Sequence, residues 1–275
     1  MAFVLMIANI RCKEEYNDDT FSGSKVMILG HRGMGELYTQ PGNTLQAISP
    51  VLAIGADGCE IDVQLTKDTV LVLYHDKQLD GRTNCEGHVY EKNWSDLCLC
   101  EYNAFENDIY VNSVDAVFRA IPNLQQFYFS FDLSKVDYDA LPYDVYRDQY
   151  LRAVKRVCEQ YHMSSHVFLE GDAGLLIRAK ELGLTNKMFL FGYLNEDAVQ
   201  SCTDNGFAGI STTPDWISTS VDMAHEAGLY VMIWSPNNES QNKDALKSGA
   251  DIIQTDDPIS ILKLLNRYNY EYVIP

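Results

Sequence analysis

The sequence predicts an α/β fold in which eight βα units close into a barrel, and three observations predict it. Short apolar runs of strand length alternate with segments of helical spacing from residue 25 onward, the pattern of parallel strands joined by crossover helices. The run QFYFSFDL at 126–133 alternates without a break. Phe127, Phe129 and Phe131 therefore face the helical ring, while Tyr128, Ser130 and Asp132 face the barrel interior. The 275 residues contain no Gly/Ser-rich or Pro-rich linker and no internal repeat, which suits one domain of barrel size.

Taken in order, the elements follow from local pattern. Residues 1–24 read as a lead-in: the apolar run AFVLMIANI, Cys12, and a polar, acidic stretch. The run is too short to span a bilayer and lacks a basic flank. Cys12 before KEEYNDD resembles the lipidated cysteine and polar tether at the end of a bacterial lipoprotein signal. That reading puts a lipid anchor on Cys12 and the protein in the cell envelope or periplasm; a plain N-terminal arm on a cytoplasmic protein is the alternative.

Residues 25–275 form the barrel domain. KVMILGH at 25–31 is a buried first strand ending in a histidine, and 43–54 is helical through Leu45, Ile48, Val51 and Leu52. Residues 56–63 are the second strand. The polar tetrapeptide Thr66-Lys67-Asp68-Thr69 then turns the chain, and VLVLYHD folds back as a hairpin inserted after that strand. A Cys-, Tyr- and Asn-rich loop leads to a short helix at 113–120 and the strand at 126–133. Helices are expected at 144–160, 172–182, 195–204, 215–226, 240–248 and 258–266. Strands are expected at 166–170, 187–193, 207–212, 230–234 and 251–255.

The hairpin region carries the chemistry. Glu60 and Asp62 are two residues apart on a strand, so both side chains point to one face. Paired inward acids are costly without a cation, and two carboxylates on one face can hold a hard divalent ion through oxygen. The returning arm brings His75 toward Asp62, and His31 ends the first strand beside Arg32 and Gly33. Imidazoles placed there can move protons at neutral pH. Each residue has a structural alternative: inward acids paired to lysines, or a histidine packed at a strand end. His88, His162, His166 and His225 lack an acidic or glycine-rich context and read as surface or structural residues.

In sequence order, His31-Arg32-Gly33, Asn43-Thr44, Glu60-Ile61-Asp62, His75-Asp76, Arg82-Thr83, WSPN at 234–237 and TDDP at 255–258 resemble the glycerophosphodiester phosphodiesterase family. The resemblance spans about residues 25–266. It implies a (β/α)8 TIM barrel that hydrolyses glycerophosphodiesters to glycerol 3-phosphate and an alcohol. By the same resemblance Glu60, Asp62 and Asp132 hold Ca²⁺ or Mg²⁺, His31 and His75 act as acid and base, and Arg32 contacts the phosphate. Trp234 would offer a flat wall to the glycerol, a packing role being its alternative. The rival functions are a lysophospholipase D-type phosphodiesterase acting at a membrane, with residues 84–112 as the segment to inspect, and an inactive binding module.

The chain also departs from the family. Gly42 stands where the family has the acid of PENT. Asp132 replaces the usual glutamate. Ser134 occupies the usual lysine position, and Lys135 follows one place late, on a face that misses the site unless the strand bulges. Glu170-Gly171-Asp172 replaces a Ser-Phe pair, and Glu170 reads as a solvated loop acid, with a head-group contact as its alternative.

Charge limits the partners. With 39 acidic against 21 basic residues, the surface repels nucleic-acid backbones, so a small diester must be attracted locally. The seven cysteines follow no paired CxxC pattern, so neither a disulfide framework nor a zinc site is expected, and Cys98 and Cys100 read as incidental thiols.

Overall fold

The computed structural model of the chain describes residues 16, 19–103, 108–217 and 219–270. Cys12 and the anchor expected there lie outside the described residues. In chain order the strands are β1 (Met27–Gly30), β2 (Gly58–Leu65), β3 (Leu71–Leu73), β4 (Asn112–Ser113), β5 (Tyr128–Asp132), β6 (Val167–Gly171), β7 (Met188–Phe191), β8 (Gly209–Thr212), β9 (Tyr230–Trp234) and β10 (Ile252–Thr255). The helices are α1 (Leu45–Ala53), α2 (Trp94–Leu97), α3 (Val114–Ala120), α4 (Tyr143–Gln160), α5 (Ala173–Glu181), α6 (Glu196–Asn205), α7 (Val221–Glu226), α8 (Glu239–Lys247) and α9 (Pro258–Leu264).

All but β3 and β4 run parallel, and β1 pairs with both β2 (Leu29 opposite Gly58) and β10 (Met27 opposite Ile252), which closes the barrel. The alternation in β5 has the expected sense. Phe129 and Phe131 pack outward on Phe118 of α3, with ring centroids 4.9 and 6.1 Å away. Tyr128 points inward, among Met27, Leu29, Phe168, Phe189, Met232 and Ile252, which fill the lower barrel. Polar and acidic side chains are left for the layers above, at the C-terminal ends of the strands, where barrel sites are built. The βα loops end on side-chain caps: Ser113, Asp172, Asn195, Asn238 and Asp257 each accept a bond from the backbone of their helix.

The hairpin forms at the expected place. Thr66 N–H donates to Val70 O at 3.0 Å, and β3 runs antiparallel to β2 with Val63 opposite Leu73. β4 adds to β3, so the excursion from the second βα connection extends the sheet by two short strands. Its residues bury a small core of their own: Val72, Tyr74, Leu79, Val89, Leu97 and Ile109 are among its members.

Two expectations fail in this frame. Cys85 and Cys100 form a disulfide, so Cys100 is not an incidental thiol; Cys59, Cys98, Cys158 and Cys202 are free. Asn84 N–H donates to Glu101 O at 2.9 Å, and that local pairing, absent from any cysteine spacing rule, brings the two thiols together. The helix expected at 215–226 is divided into a 3₁₀ turn at Pro214–Trp216 and α7. Leu194 N–H donates to Trp216 O at 3.0 Å, which draws this stretch out of the helical path and over the barrel mouth.

Candidate active site

Beyond Gly30 the chain turns over the mouth through His31, Arg32 and Gly33. Arg32 has φ 53° and Gly33 has φ 104°, and a Cβ on Gly33 would lie 2.6 Å from the Ala47 carbonyl, so only glycine lets the loop settle on α1. A non-glycine residue held at positive φ stores local strain of the kind found at functional sites. Here it aims the Arg32 N–H at Glu60 Oε2, 2.9 Å away.

Glu60, Asp62 and Asp132 meet as expected: each offers a carboxylate oxygen, and these atoms lie within 4.8 Å of one another. The two residues from β2 are buried. Burial, then the neighbouring Asp62 and Asp132, push the Glu60 carboxyl well above the usual carboxylate range. Burial and Asp62 raise Asp132 as well. Burial works in the same direction at Asp62, but Arg32, His75 and Lys135 together with an Asn43 hydrogen bond outweigh it and hold Asp62 below its ordinary value. An all-oxygen donor set, with two acids held short of easy ionisation by burial and by their neighbours, fits a hard divalent cation. The oxygen set suits Ca²⁺ and Mg²⁺ alike.

Both histidines are oriented by carboxylates. His31 Nδ1 lies 2.8 Å from Asp256 Oδ1, which turns Nε2 toward Glu60 Oε2 at 3.7 Å. His75 Nδ1 lies 2.6 Å from Asp76 Oδ1, and Asp76 Oδ2 accepts from Arg82 Nε at 2.8 Å. In each case donation through Nδ1 leaves Nε2 for the substrate, as a lone pair in a neutral ring or as a second N–H in a protonated one. Gln64 Nε2 donates to the carbonyls of Tyr74 and Asp76 at 2.8 and 2.9 Å, clamping the backbone on either side of His75.

Three partners had only a faint signal in sequence. Asn43 donates to Asp62 Oδ2 at 2.7 Å and accepts from Asp62 N–H at 2.9 Å; its motif was visible, its role was not. Asp256, within TDDP, is 225 residues from the histidine it orients. Lys135, expected to miss the site, reaches it: β5 stops at Asp132, and a 3₁₀ turn at Leu133–Lys135 brings Nζ within 3.7 Å of Asp62 and 3.5 Å of Asp132. A turn, not a bulge, makes the correction. Beside Gly42, where a Cβ would lie 2.8 Å from Arg32 Cβ, an acid is still present: Glu36 Oε1 is 2.9 Å from Arg32 Nη1. Arg32 Nε sits 3.1 Å from Asp62 Oδ2 as an ion pair, without hydrogen-bond alignment.

Glu170 overturns its expectation. It is 3% exposed inside the barrel, where Ser130 Oγ donates to it at 2.5 Å and Ser211 Oγ and Gln254 Nε2 also donate. The expected loop lies one residue further on, because β6 continues through Gly171. Trp234 stands on β9, stacked on Phe191 at 5.3 Å and edge-on to Trp216 at 5.6 Å, with its Nε1 buried and without a hydrogen-bond partner among the described residues. A pocket of about 340 Å³ opens between the first loop and the excursion, bordered by Arg32, His75, Glu36, Tyr38, Arg82 and Tyr102.

Known proteins place this geometry in a family. The glycerophosphodiester phosphodiesterase of Caldanaerobacter subterraneus subsp. tengcongensis is 46% identical over 65 residues, 24% of this chain and 26% of that one. An uncharacterised Bacillus subtilis protein, YqiK, is 24% identical over 246 residues, 86% of this chain and 98% of its own. The solved structure of an Oleispira antarctica phosphodiesterase in complex with the product sn-glycerol-3-phosphate matches 87% of this chain and 96% of its own, with TM-score 0.72 and 19% identity. A glycerophosphodiester phosphodiesterase from Parabacteroides distasonis matches 87% and 96%, with TM-score 0.72 and 20% identity. The model of the glycerophosphoryl diester phosphodiesterase family matches residues 31–260, which include both histidines, all three acids and the strands β2 and β5 that carry the acids; the chain belongs to that family.

Proposed function

We propose that the protein hydrolyses glycerophosphodiesters to glycerol 3-phosphate and an alcohol. The observation that carries this reading is the meeting of three carboxylates with two carboxylate-oriented histidines at one barrel mouth. Glu60, Asp62 and Asp132 would hold a divalent cation, which would supply positive charge to the phosphate there. Arg32 gives the phosphate a second positive contact with planar donors, and Lys135 adds a third from the β5 side. The diester's own glycerol hydroxyl lies within reach of phosphorus, and attack from within the substrate is worth about 7 to 11 kcal/mol of barrier. His31 takes the proton from that hydroxyl. His75, on the border of the open pocket, protonates the departing alcohol there; water then opens the cyclic phosphate with the roles reversed. Trp234 provides the flat wall against the glycerol.

The lysophospholipid alternative draws no support from the described residues of the excursion. Its apolar residues turn inward, leaving Leu99 and Tyr110 as its exposed large apolar side chains among the described residues, short of a patch. The Cys85–Cys100 disulfide favours an oxidising compartment, in line with an envelope location. The test is a hydrolysis screen over glycerophosphocholine, glycerophosphoethanolamine, glycerophosphoinositol and lysophosphatidylcholine, with and without chelator. Turnover of the glycerophosphodiesters, lost on chelation and restored by Ca²⁺ or Mg²⁺, is expected; full activity in excess chelator overturns the cation assignment. Cation affinity should also weaken on acidification at a higher pH than ordinary carboxylates require, because protons compete at the raised Glu60 and Asp132.

A further inference from the structure

Glu170 is a buried acid that the proposed chemistry does not use. It lies next to last on β6, opposite Asp132 of β5. Its three donors, Ser130, Ser211 and Gln254, are all neutral, and among the described residues no lysine, arginine or histidine forms an ion pair with it. Donors of this kind suit an acceptor-only carboxylate but cancel none of its charge. Asp62 is treated differently, with Arg32 and Lys135 both beside it. Burial is the largest influence on the Glu170 carboxyl and raises it, with Asp132 adding to that while the hydroxyls oppose. Through space Glu170 acts in turn on Glu60.

The charge balance of the mouth gives this arrangement a meaning. Glu60, Asp62, Asp132 and Glu170, with Glu36 on Arg32, are five carboxylates against two cationic side chains, Arg32 and Lys135, an excess of negative charge that a bound cation offsets. We propose that Glu170 is a non-coordinating acid of the cation site, a positioning residue whose buried charge is balanced by the bound ion and which tightens and selects that ion by charge. The inference rests on reading Glu60, Asp62 and Asp132 as the cation's ligands. It assigns a role to the position where the chain carries Glu170-Gly171 in place of the Ser-Phe pair that the sequence comparison leads one to expect.

The test is cation binding to the metal-free, full-length protein at pH 8, followed by calorimetry for Ca²⁺ and Mg²⁺ and by sensitised luminescence for Tb³⁺. Glu170→Gln should raise the Ca²⁺ and Mg²⁺ dissociation constants on the order of tenfold. Since a Coulomb contribution scales with the charge of the ion, the loss for Tb³⁺ should be larger, roughly thirtyfold. Gln254→Lys, which sets a cation beside Glu170, should give losses of the same order if Glu170→Gln folds poorly. Ser211→Ala, which removes a neutral donor and keeps the charge, should stay within about threefold of the parent. Unchanged affinity in both Glu170→Gln and Gln254→Lys overturns the proposal, as do equal losses for divalent and trivalent ions, which would mark a structural effect. Glu60→Gln is the control for the underlying reading: if it binds Ca²⁺ as the parent does, the ligand assignment itself fails, whatever Glu170 does.

Discussion

His31 stands on the barrel and His75 on the excursion, and their surroundings differ more than their chemistry. Each offers Nδ1 to a carboxylate at hydrogen-bond distance. Around His31 the carboxylate is buried and fixed from a second side, since Asp256 also accepts from the Glu36 N–H at 3.0 Å. Around His75 everything is closer to water: the His75 and Asp76 side chains are 34% and 33% exposed, and Arg82 is 71% exposed. One histidine is thus held by packing between β1 and β10, the other by a clamp of polar bonds on a segment stapled by a disulfide. Two carboxylate-held histidines of one site thus stand on supports of unequal exposure, the more exposed one bordering the open pocket.

The largest effect should come from removing the imidazoles themselves. His31→Ala and His75→Ala should each lower kcat on the order of 10²-fold or more, with Ca²⁺ affinity by calorimetry close to the parent. Near-normal turnover in either variant would make that histidine structural and break the pairing. Next in size are the orienting acids. Asp256→Asn should cost about tenfold in kcat or more and should exceed Asp76→Asn, because a buried orienting group has no water to replace it, whereas water can reach His75. Equal losses would show that exposure does not separate the two stations. The smallest effect is expected from the staple. In the chain-entropy picture, a bridge across 15 residues is worth about 3 kcal/mol, so Cys85→Ser with Cys100→Ser should speed hydrogen exchange in residues 71–102. Turnover should fall only a few-fold, because Gln64 still clamps the backbone around His75. Exchange unchanged in that segment would show that the small core of the excursion, not the disulfide, holds His75 in place.

What the sequence determined by itself is local or periodic. The eightfold alternation of strand and helix, the inward face of β5, the shared face of Glu60 and Asp62, and the return of His75 through Thr66–Thr69 all follow from spacing over a few residues, and the ordered motifs added the family. Other features of the site exist only where distant segments meet. Asp256 reaches His31 because β10 closes against β1, and no local pattern records which strand will close a barrel. Lys135 reaches Asp62 because the strand stops at Asp132 and turns, a matter of two residues that alternation alone would carry straight on. Cys85 meets Cys100 through backbone pairing inside the excursion. Glu170, which reads as a solvated acid where a strand gives way to a loop, lies inside the barrel because β6 runs one residue past it and Ser130, Ser211 and Gln254 from three other strands converge on it. Burial of a charge is set by the strands around it, and those neighbours exist only once the ring is closed.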